Sequence, residues 1–328
     1  MTRPTTTRWG LVGHGYISGQ FLPAVAAVEG AEAVAVVGRD STRVEAFATE
    51  HGLTAMPSVA ALIDAVDAVY VCTPHTAHLD VALACVDAGI PVLVEKPITP
   101  TAADTRRLVD AARAADSFVM EAVWTRFLPI YDVVRGWIAD GRIGELSSLT
   151  ASFGFAAPPD PQHRLFSPAL AGGSILDIGM YPLTFAEMVT GVEADVLRAT
   201  GHIGSTGVDD HVVVAGRYGS VVAQLSSALR ANLDHQAVVH GSEGSIEIPF
   251  FWGASEATLV RGDDRQTESR PHLANGFEYE IQHVMDCVAA GRTESDVMSL
   301  ADSVRMADQC DELRRQVGVR YPFESEKS

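Results

Sequence analysis

The residue of this sequence that most clearly indicates chemistry is a lysine. Only two of the 24 basic residues are lysines, Lys96 and Lys327, and the others are arginines. Lys96 lies in the tripeptide Glu95-Lys96-Pro97, directly after the apolar run 92–94. A lysine can give up its proton when its surroundings favour this, whereas an arginine stays charged in proteins. The sequence therefore predicts that Lys96 does chemistry that an arginine cannot do.

A glycine-rich turn near the start of the chain is typical of a dinucleotide site. Residues 13–18 read Gly-His-Gly-Tyr-Ile-Ser, a GxGxxG pattern with serine in the last position. The first glycine allows a tight turn, the second lets backbone amides approach a pyrophosphate, and the last position needs only a small residue. The turn lies between an apolar run and a helical pattern, which favours dinucleotide binding over a plain turn. The residues expected at the pyrophosphate are Gly13, His14, Gly15, Tyr16 and Ile17.

The end of the second predicted strand indicates which dinucleotide is bound. This strand ends in Val37-Gly38-Arg39-Asp40. An acid about 20 residues after the glycine turn binds the ribose 2′-hydroxyl of NAD, whereas an arginine there accommodates the 2′-phosphate of NADP. Because Arg39 stands at the strand tip, we expect NADP, with NAD as the second possibility. In the alternative interpretation Arg39 is solvated and Asp40 binds the ribose.

Polar residues also follow two later strands. Thr73-Pro74-His75 follows the predicted strand 68–72, as Glu95-Lys96-Pro97 follows 92–94. Ligands of open parallel sheets bind at the carboxyl ends of the strands, so both tripeptides are expected near the nicotinamide. A metal held by His75 and His78 would need a third ligand, and we predict no metal because none is evident.

The elements that must position these residues follow from hydrophobic periodicity. Strands at 9–12, 33–37, 68–72 and 92–94 alternate with helices at 17–28, 42–51 and 78–87 and a helix from Thr99-Pro100 to 115. This alternation is typical of an α/β fold with a parallel sheet. It predicts an N-terminal Rossmann dinucleotide-binding domain over residues 1–123.

After residue 123 the pattern changes to successive strands. Predicted strands are 146–155, 196–202, 211–218, 221–228, 237–241 and 245–248, and predicted helices are 130–140, 175–190, 277–290 and 297–317. Short turns between successive strands predict antiparallel pairing. We therefore expect a C-terminal α+β domain over residues 124–328 with a large, mainly antiparallel open sheet. Its terminal helix is free to pack back on the first domain.

One face of this open sheet is expected to pair two copies of the chain. Apolar side chains at alternate positions, such as Val212, Val214 and Val222 beside Gln224, predict an exposed apolar surface. Such a surface usually marks an interface. The expected assembly is a homodimer through the C-terminal sheet.

Composition excludes several classes of function. The formal net charge is −18, and a surface this acidic repels nucleic acids and anionic membranes. No apolar run reaches the ~20 residues of a membrane helix. The start of the sequence has no apolar signal region, so a cytoplasmic protein is expected. The cysteines are predicted to be buried reduced thiols: Cys72, Cys85, Cys287 and Cys310.

These motifs together resemble the Gfo/Idh/MocA family of NAD(P)-dependent sugar oxidoreductases. The resemblance rests on Glu95-Lys96-Pro97, the glycine turn and Thr73-Pro74. Segments 120–127, 172–182 and 207–210 are similar to the branch of dimeric dihydrodiol dehydrogenases and NADP-dependent D-xylose 1-dehydrogenases. The wider family commonly has histidine where this sequence has Tyr181. The resemblance extends from Trp9 to Tyr321.

The resemblance implies a catalytic set of Lys96, Tyr181 and Asp177. Tyr181 would exchange the hydroxyl proton while Lys96 assists it and Asp177 orients the hydroxyl. An unperturbed tyrosine titrates near pH ~10, and a neighbouring ammonium lowers its pKa. Asp177 and Tyr181 are four residues apart, so on a helix they share a face. The implied reaction is reversible hydride transfer between NADP, or NAD, and a secondary alcohol, either a sugar C1 hydroxyl or a trans-dihydrodiol.

Further residues are expected at the cofactor and the substrate. The cofactor set, beyond the glycine turn, is Arg39, Thr73, Pro74, His75, His78, Glu95, Lys96, Trp124 and Arg126. The substrate set is Trp124, Phe153, Asp177, Tyr181 and Phe277, with Arg126, His163 and Arg164 within reach of hydroxyls. Aromatic faces suit both a sugar ring and a cyclic diol.

Two other functions are compatible with the same motifs. One is a sugar–sugar oxidoreductase that keeps its cofactor bound between turnovers. The other is a non-catalytic sensor of dinucleotides on the same fold, because a fold does not fix a function. The set of Lys96, Tyr181 and Asp177 argues against a sensor, which has no need of it.

Overall fold

The chain folds into two compact units. This computed structural model describes residues 6–325. One unit contains the chain up to Trp124 together with His272–Arg305, and the other contains Thr125–Pro271 together with the chain from Met306 onward. We expected residues 124–328 in the second unit, with the terminal helix free to pack back on the first, whereas the structure groups 272–305 with the first unit. The reason is packing: helix α8 (Glu278–Ala289) has a buried apolar face and packs against the first helix of the chain.

The first unit is built on a six-stranded parallel sheet. Its strands are β1 (Thr7–Val12), β2 (Ala31–Val37), β3 (Thr54–Ala55), β4 (Ala68–Val71), β5 (Val92–Glu95) and β6 (Val119–Ala122). The strand order is β3-β2-β1-β4-β5-β6, and every pairing is parallel. The expected Rossmann architecture is confirmed. The short strand β3 and the buried strand β6 had no prediction from the sequence.

Helices cover this sheet. They are α1 (Tyr16–Ala27), α2 (Ser41–His51), α3 (Val59–Ile63), α4 (His78–Asp87), α5 (Ala102–Ala114) and α8. Helix α5 begins later than predicted from Thr99-Pro100. The Thr101 hydroxyl accepts the Asp104 N–H and caps the helix, whereas the Thr99 hydroxyl donates to the Thr101 carbonyl. The N-cap is therefore Thr101, because its side chain meets the first unpaired N–H groups of the helix.

The second unit is built on an eight-stranded open sheet. Its strands are β7 (Leu146–Gly154), β8 (Val196–Ile203), β9 (Asp209–Tyr218), β10 (Val221–Ala228), β11 (Gln236–Gly241), β12 (Ser245–Pro249), β13 (Glu256–Arg261) and β14 (Asp264–Ser269). The order is β14-β13-β12-β11-β7-β10-β9-β8, and only β7 and β10 pair in parallel. The prediction of a mainly antiparallel sheet is confirmed.

Helices of the second unit lie beside this sheet. They are α6 (Ile130–Ala139), α7 (Met180–Thr190) and α10 (Pro322–Ser325), while α9 (Leu300–Val317) has residues in both units. The predicted helix 175–190 starts differently from our expectation. Ile175–Gly179 forms a π-helical turn, in which the Met180 N–H reaches the Ile175 carbonyl, and α-helical geometry begins only at Met180. Single π turns of this kind often occur at functional sites.

The outer face of the open sheet carries different valines from those predicted. Val212 and Val214 are 1% and 5% exposed and face the core, whereas Val213 and Val222 are 45% and 52% exposed. Successive side chains of a strand point to opposite faces, so the prediction placed two valines on the wrong face of β9.

Two further expectations concern membranes and thiols. Within residues 6–325, every helix is too short or too polar to cross a bilayer. All four cysteines are buried thiols outside disulfides, as predicted.

Candidate functional site

The glycine turn between β1 and α1 has the geometry of a phosphate-binding loop. Gly13 has φ +123°, and a Cβ there would lie 2.6 Å from the Cys72 carbonyl oxygen, so only glycine fits. A Cβ on Gly15 would meet nothing within 4 Å, which leaves room beside its Cα for an approaching phosphate. The Ser18 hydroxyl, in place of the third glycine, accepts the Gly15 N–H at 3.2 Å. No acid lies in the first turn of α1, so its N-terminus suits an anion.

The tip of β2 separates the roles of Arg39 and Asp40. Arg39 is exposed at the strand end, where a 2′-phosphate would be expected. Asp40 is the N-cap of α2, and its side chain accepts the Arg43 N–H. His14 packs against Gly38, and burial followed by Arg43 lowers the pKa of its imidazole. The basic side chain, rather than the acid, is therefore available to a ligand.

The carboxyl end of β4 is fixed to the segment after β5 by a histidine. His78 is fully buried, with Nδ1 2.9 Å from the Pro97 carbonyl and Nε2 2.9 Å from the Thr73 carbonyl. Burial lowers the pKa of His78, against the opposing effect of these carbonyls. We expected His78 at the cofactor, but both of its nitrogens face backbone. His75, which is also buried, lies at the start of the following turn.

Glu95 has a similar structural setting at the end of β5. The Tyr70 hydroxyl donates to its Oε1 atom at 2.5 Å, and the Lys96 N–H donates to its Oε2 atom at 3.1 Å. The carboxylate thus fixes the backbone at Lys96, whose side chain is partly exposed. The lysine follows directly on the carboxyl end of β5, a parallel strand with a neighbour on each side.

Trp124 and Phe277 come together within the first unit. Their ring centroids are 4.7 Å apart, and both residues are buried. Gly276 has φ +105°, and a Cβ there would lie 2.6 Å from the Trp124 ring. The segment before α8 therefore packs directly on Trp124.

Tyr181 lies beside an aromatic cluster in the second unit. The Phe153 ring is 5.7 Å from Tyr181 and stacks on Trp252 at 4.8 Å with an interplanar angle of 7°. His235 lies 5.0 Å from Phe153, and its Nε2 atom is 2.6 Å from the Gly154 carbonyl. Sequence reasoning missed Trp252, although the run Phe250-Phe251-Trp252 after a predicted strand was a signal for it.

Asp177 is buried one turn before Tyr181 and is paired with an arginine. The Arg164 guanidinium donates to Asp177 Oδ1 at 2.6 Å, and Arg164 is about half exposed while Asp177 is 7% exposed. His163 is exposed, and its Nδ1 atom accepts the Leu165 N–H. The structure therefore brings Arg164 to Asp177, the residue predicted to orient the hydroxyl, and leaves His163 at the surface.

Arg126 has a buried ionic partner. Its guanidinium lies 3.4 Å from Glu187 Oε2, and Gln309 donates to Glu187 Oε1 at 2.7 Å. The side chains of Arg126 and Glu187 are 10% and 6% exposed. We expected Arg126 at the cofactor or at a substrate hydroxyl, and the observed ion pair gives it a structural role in the second unit.

One group of metal-ligating types comes together within residues 6–325. His283, Cys287 and Asp296 have ligand atoms within 4.8 Å of one another. Arg292 pairs with Asp296 at 3.0 Å, and the His283 Nε2 atom lies 2.7 Å from the Ser295 hydroxyl. The arginine already neutralises the carboxylate, which disfavours a cation there.

Comparison with known proteins finds matches along most of the chain. The family described as "Oxidoreductase family, NAD-binding Rossmann fold" matches residues 7–123, and the "GFO/IDH/MocA C-terminal domain" matches residues 131–247. Trans-1,2-dihydrobenzene-1,2-diol dehydrogenase of Xenopus tropicalis is 35% identical, covering 96% of this chain and 99% of the relative. The Homo sapiens protein of that name is 34% identical, with coverage of 96% and 98%.

Solved structures share the fold. The 3-ketoreductase KijD10 of Actinomadura kijaniata, in complex with NADP and TDP-benzene, is 27% identical with a TM-score of 0.85 and covers 96% of this chain and 98% of its own. An aldose-aldose oxidoreductase of Caulobacter crescentus is 24% identical with a TM-score of 0.87, covering 95% and 98%. The chain thus belongs to the GFO/IDH/MocA family of oxidoreductases, with an NAD-binding Rossmann fold in its first unit.

Proposed function

We propose that this chain is an NADP-dependent dehydrogenase that acts on a secondary alcohol, either a sugar C1 hydroxyl or a trans-dihydrodiol. The observation that carries the proposal is the setting of Tyr181, which lies beside Phe153, the ring that stacks on Trp252, and one turn after the buried Asp177. A phenol and a carboxylate at an aromatic surface suit a ring that bears hydroxyl groups. The name and the full-length similarity of the dihydrodiol dehydrogenases support the same class of substrate.

The first unit has residues that fit the dinucleotide. Gly13, Gly15 and the α1 N-terminus would hold the pyrophosphate, with His14, Tyr16 and Ile17 around it. Arg39 would bind the 2′-phosphate. Lys96 would lie near the nicotinamide ribose, with Thr73, Pro74, His75 and Glu95 shaping the strand ends, and with Trp124 at the end of the unit. When bound, the nicotinamide would take hydride from the alcohol carbon or return it in the reverse direction.

Tyr181 supplies the acid and base chemistry in this proposal. In the oxidative direction its phenolate takes the hydroxyl proton while the C–H bond is broken with its electron pair, leaving a carbonyl group. The Lys96 ammonium stabilises the phenolate. Asp177, fixed by Arg164, accepts a hydrogen bond from the substrate and orients the reacting hydroxyl. In the reductive direction Tyr181 returns its proton to the carbonyl oxygen.

An activity screen tests this function. Pentoses, hexoses and cyclic trans-diols are each incubated with NADP and with NAD, and reduction is followed at the nicotinamide absorbance band. We expect turnover with NADP and at least one of these alcohols. Absence of turnover with every alcohol and with the corresponding carbonyl compounds would contradict the proposal. Cofactor that stays with the protein through gel filtration would instead indicate a sugar–sugar oxidoreductase.

We also propose a cytoplasmic homodimer. The outer face of β9 and β10 carries Val213 and Val222 at the surface, next to small and polar side chains. An uncovered sheet face with apolar residues suits a second copy of the same sheet. Reduced buried thiols support a cytoplasmic location. Sedimentation at micromolar concentration tests the dimer, and a monomer there would contradict it.

A further inference from the structure

A buried carboxylate holds the segment from which Asp177 and Tyr181 project. Asp209, the first residue of β9, is 0% exposed. Its Oδ2 atom accepts hydrogen bonds from the Ser174 hydroxyl at 2.8 Å and from the Ile175 N–H at 2.7 Å. Ile175 is the first residue of the π-helical turn. The carboxylate therefore fixes the start of this turn through its backbone as well as through a side chain.

The two glycines that precede this turn are tightly confined. Gly173 has φ +125°, and a Cβ there would lie 2.3 Å from Asp209 Oδ1. The Tyr321 hydroxyl donates to the Gly172 carbonyl at 2.7 Å, and the Arg314 guanidinium lies 4.5 Å above the Tyr321 ring. Two glycines thus pass between a buried carboxylate and a buried phenol, which leaves little freedom in the direction of the following turn.

We propose that Asp209 is a positioning residue for catalysis, which sets the direction of the π-helical turn so that Asp177 and Tyr181 meet the substrate hydroxyl together. This inference rests on the proposed function. Asp209 acts through Ser174 and Ile175 and has no contact with the substrate. A shift of about 1 Å in a catalytic group can lower a rate by about a hundredfold, so a carboxylate outside the site can control turnover.

The surroundings of Asp209 also give it a pH dependence. The groups that face it are the Ser174 hydroxyl, the Ile175 N–H, and the side chains of Arg314 and Tyr321 at the end of the chain. Ser227 of β10 reaches the same Ser174 hydroxyl at 2.9 Å. Burial raises the pKa of Asp209 to about 6, against the hydrogen bonds that lower it.

Because the pKa of Asp209 is raised, its charged form should affect stability and activity in opposite directions. Because the pKa is raised in the folded state, the stability that Asp209 contributes is full below its unfolded value and is lost as the pH rises through about 6. At pH 7.5 the buried charge therefore costs stability, while the charged form accepts the two hydrogen bonds more strongly than the neutral form does. A neutral amide at this position should relieve the cost and weaken the hold on the turn.

The test compares Asp209→Asn with Asp210→Asn. Asp210 is the next residue and pairs with His202 at 2.7 Å, away from the Ser174–Ile175 segment. For Asp209→Asn we expect kcat to fall by about tenfold or more, with the Kd for NADPH within about twofold of wild type. Its thermal midpoint at pH 7.5 should equal or exceed the wild-type value. Below about pH 6 the wild-type kcat should fall, and Asp209→Asn should lack this dependence. Asp210→Asn should retain the wild-type kcat.

Amide exchange provides a readout that does not depend on turnover. Residues 173–181 should exchange faster in Asp209→Asn than in Asp210→Asn. Wild-type kcat and wild-type exchange in Asp209→Asn would overturn the inference. If the wild-type protein oxidises no alcohol, the proposed function fails, and exchange alone then decides the role of Asp209. If Asp209→Asn does not fold, Ser174→Ala removes one donor, and an unchanged kcat in that variant would overturn the inference.

Discussion

Glu278 and Glu280, which are separated by one residue at the start of α8, differ in whether their buried carboxylates are hydrogen-bonded. The Glu278 carboxylate accepts four backbone hydrogen bonds, from Leu273, Ala274, Asn275 and Gly276. The Glu280 carboxylate is fully buried, and within residues 6–325 neither of its oxygens has a hydrogen-bond partner. Burial opposes ionisation of Glu278, but the backbone N–H groups prevail and lower its pKa. Burial and then Glu95 raise the pKa of Glu280 well above its usual range.

This contrast predicts opposite effects of two glutamine variants on stability. Since the pKa of Glu280 is raised by folding, its contribution to stability is present at low pH and is lost as the pH rises through the folded value. Glu280→Gln should therefore weaken the fall in thermal midpoint as the pH rises, and should be at least as stable as wild type at pH 8. A lower midpoint at pH 8, with an unchanged slope, would contradict this interpretation.

Glu278→Gln should destabilise the protein instead. The pKa of Glu278 is lowered by folding, so its contribution is present above its unfolded value and is lost as the pH falls. Hydrogen bonds to a charged group contribute about 1.5–3 kcal/mol. We expect a loss of roughly that size at pH 7, measured by urea unfolding, which diminishes toward pH 4. If Glu278→Gln were as stable as Glu280→Gln at pH 7, the four hydrogen bonds to residue 278 would stabilise the protein equally well without the negative charge.

Arg39→Ala should separate the two dinucleotides. Arg39 is exposed at the tip of β2, while Asp40 is engaged as the cap of α2. Loss of one charge-assisted contact of about 1.5–3 kcal/mol weakens NADP binding by roughly ten- to a hundredfold and leaves NAD binding nearly unchanged. The measurement is calorimetric titration with both cofactors. The exposed Arg113 of α5 provides the control, as Arg113→Ala. Equal losses for both cofactors would mean that Arg39 supports the loop.

Lys96→Arg tests whether the lysine supplies more than charge. The arginine fork is bulkier and planar, and under the proposed mechanism it would hold its charge in the wrong place to stabilise the Tyr181 phenolate. We expect a loss of turnover on the order of a hundredfold, with cofactor binding mostly kept. Tyr181→Phe should give a similar loss, because the proton acceptor is removed while the ring remains. The double variant should be scarcely worse than either single one, and full additivity would argue against a joint role.

Trp252 is predicted to contribute to substrate binding through its stack with Phe153. Trp252→Leu removes an aromatic surface that contributes about 0.5–1.5 kcal/mol. The KM for the alcohol should rise by roughly two- to tenfold, with the Kd for NADP unchanged. Trp252→Phe keeps an aromatic ring and serves as the conservative control. A loss of kcat without a change in KM would mean that Trp252 helps to position Tyr181 and does not bind the substrate.

The dimer proposal predicts a specific effect at the sheet face. Val222→Glu places a charge on the exposed face of β10 and should give a monomer in sedimentation velocity. Val192 is similarly exposed, at 46%, but lies outside the strands. Val192→Glu should leave the assembly intact. If both variants were dimers, the interface would have to lie on another surface.

The features predicted correctly from the sequence are those that depend on residues close together in the chain. The glycine turn, the strand ends at Thr73 and Lys96 and the mainly antiparallel second sheet follow from backbone conformation and hydrophobic periodicity. Strand β14 was missed because its six residues are all polar and mostly exposed, so it has no periodic signal. The ion pair between Arg126 and Glu187 was not foreseen, because the two residues lie 61 positions apart in the sequence. Such pairs form through tertiary packing, and the spacing of residues in a single sequence does not indicate them.

The return of residues 272–305 to the first unit makes that unit discontinuous in the chain. The Asn275 amide donates to the Gln20 carbonyl at 2.7 Å, across 255 positions of sequence. During synthesis the nucleotide-binding unit therefore remains incomplete until almost the whole polypeptide has left the ribosome. Until then, the surface of α1 that packs against α8 in the folded protein is uncovered. A chimera that exchanges the Rossmann unit between relatives must carry both stretches, and a fragment cut at residue 124 should need a chaperone or a supplied α8 peptide to stay in solution.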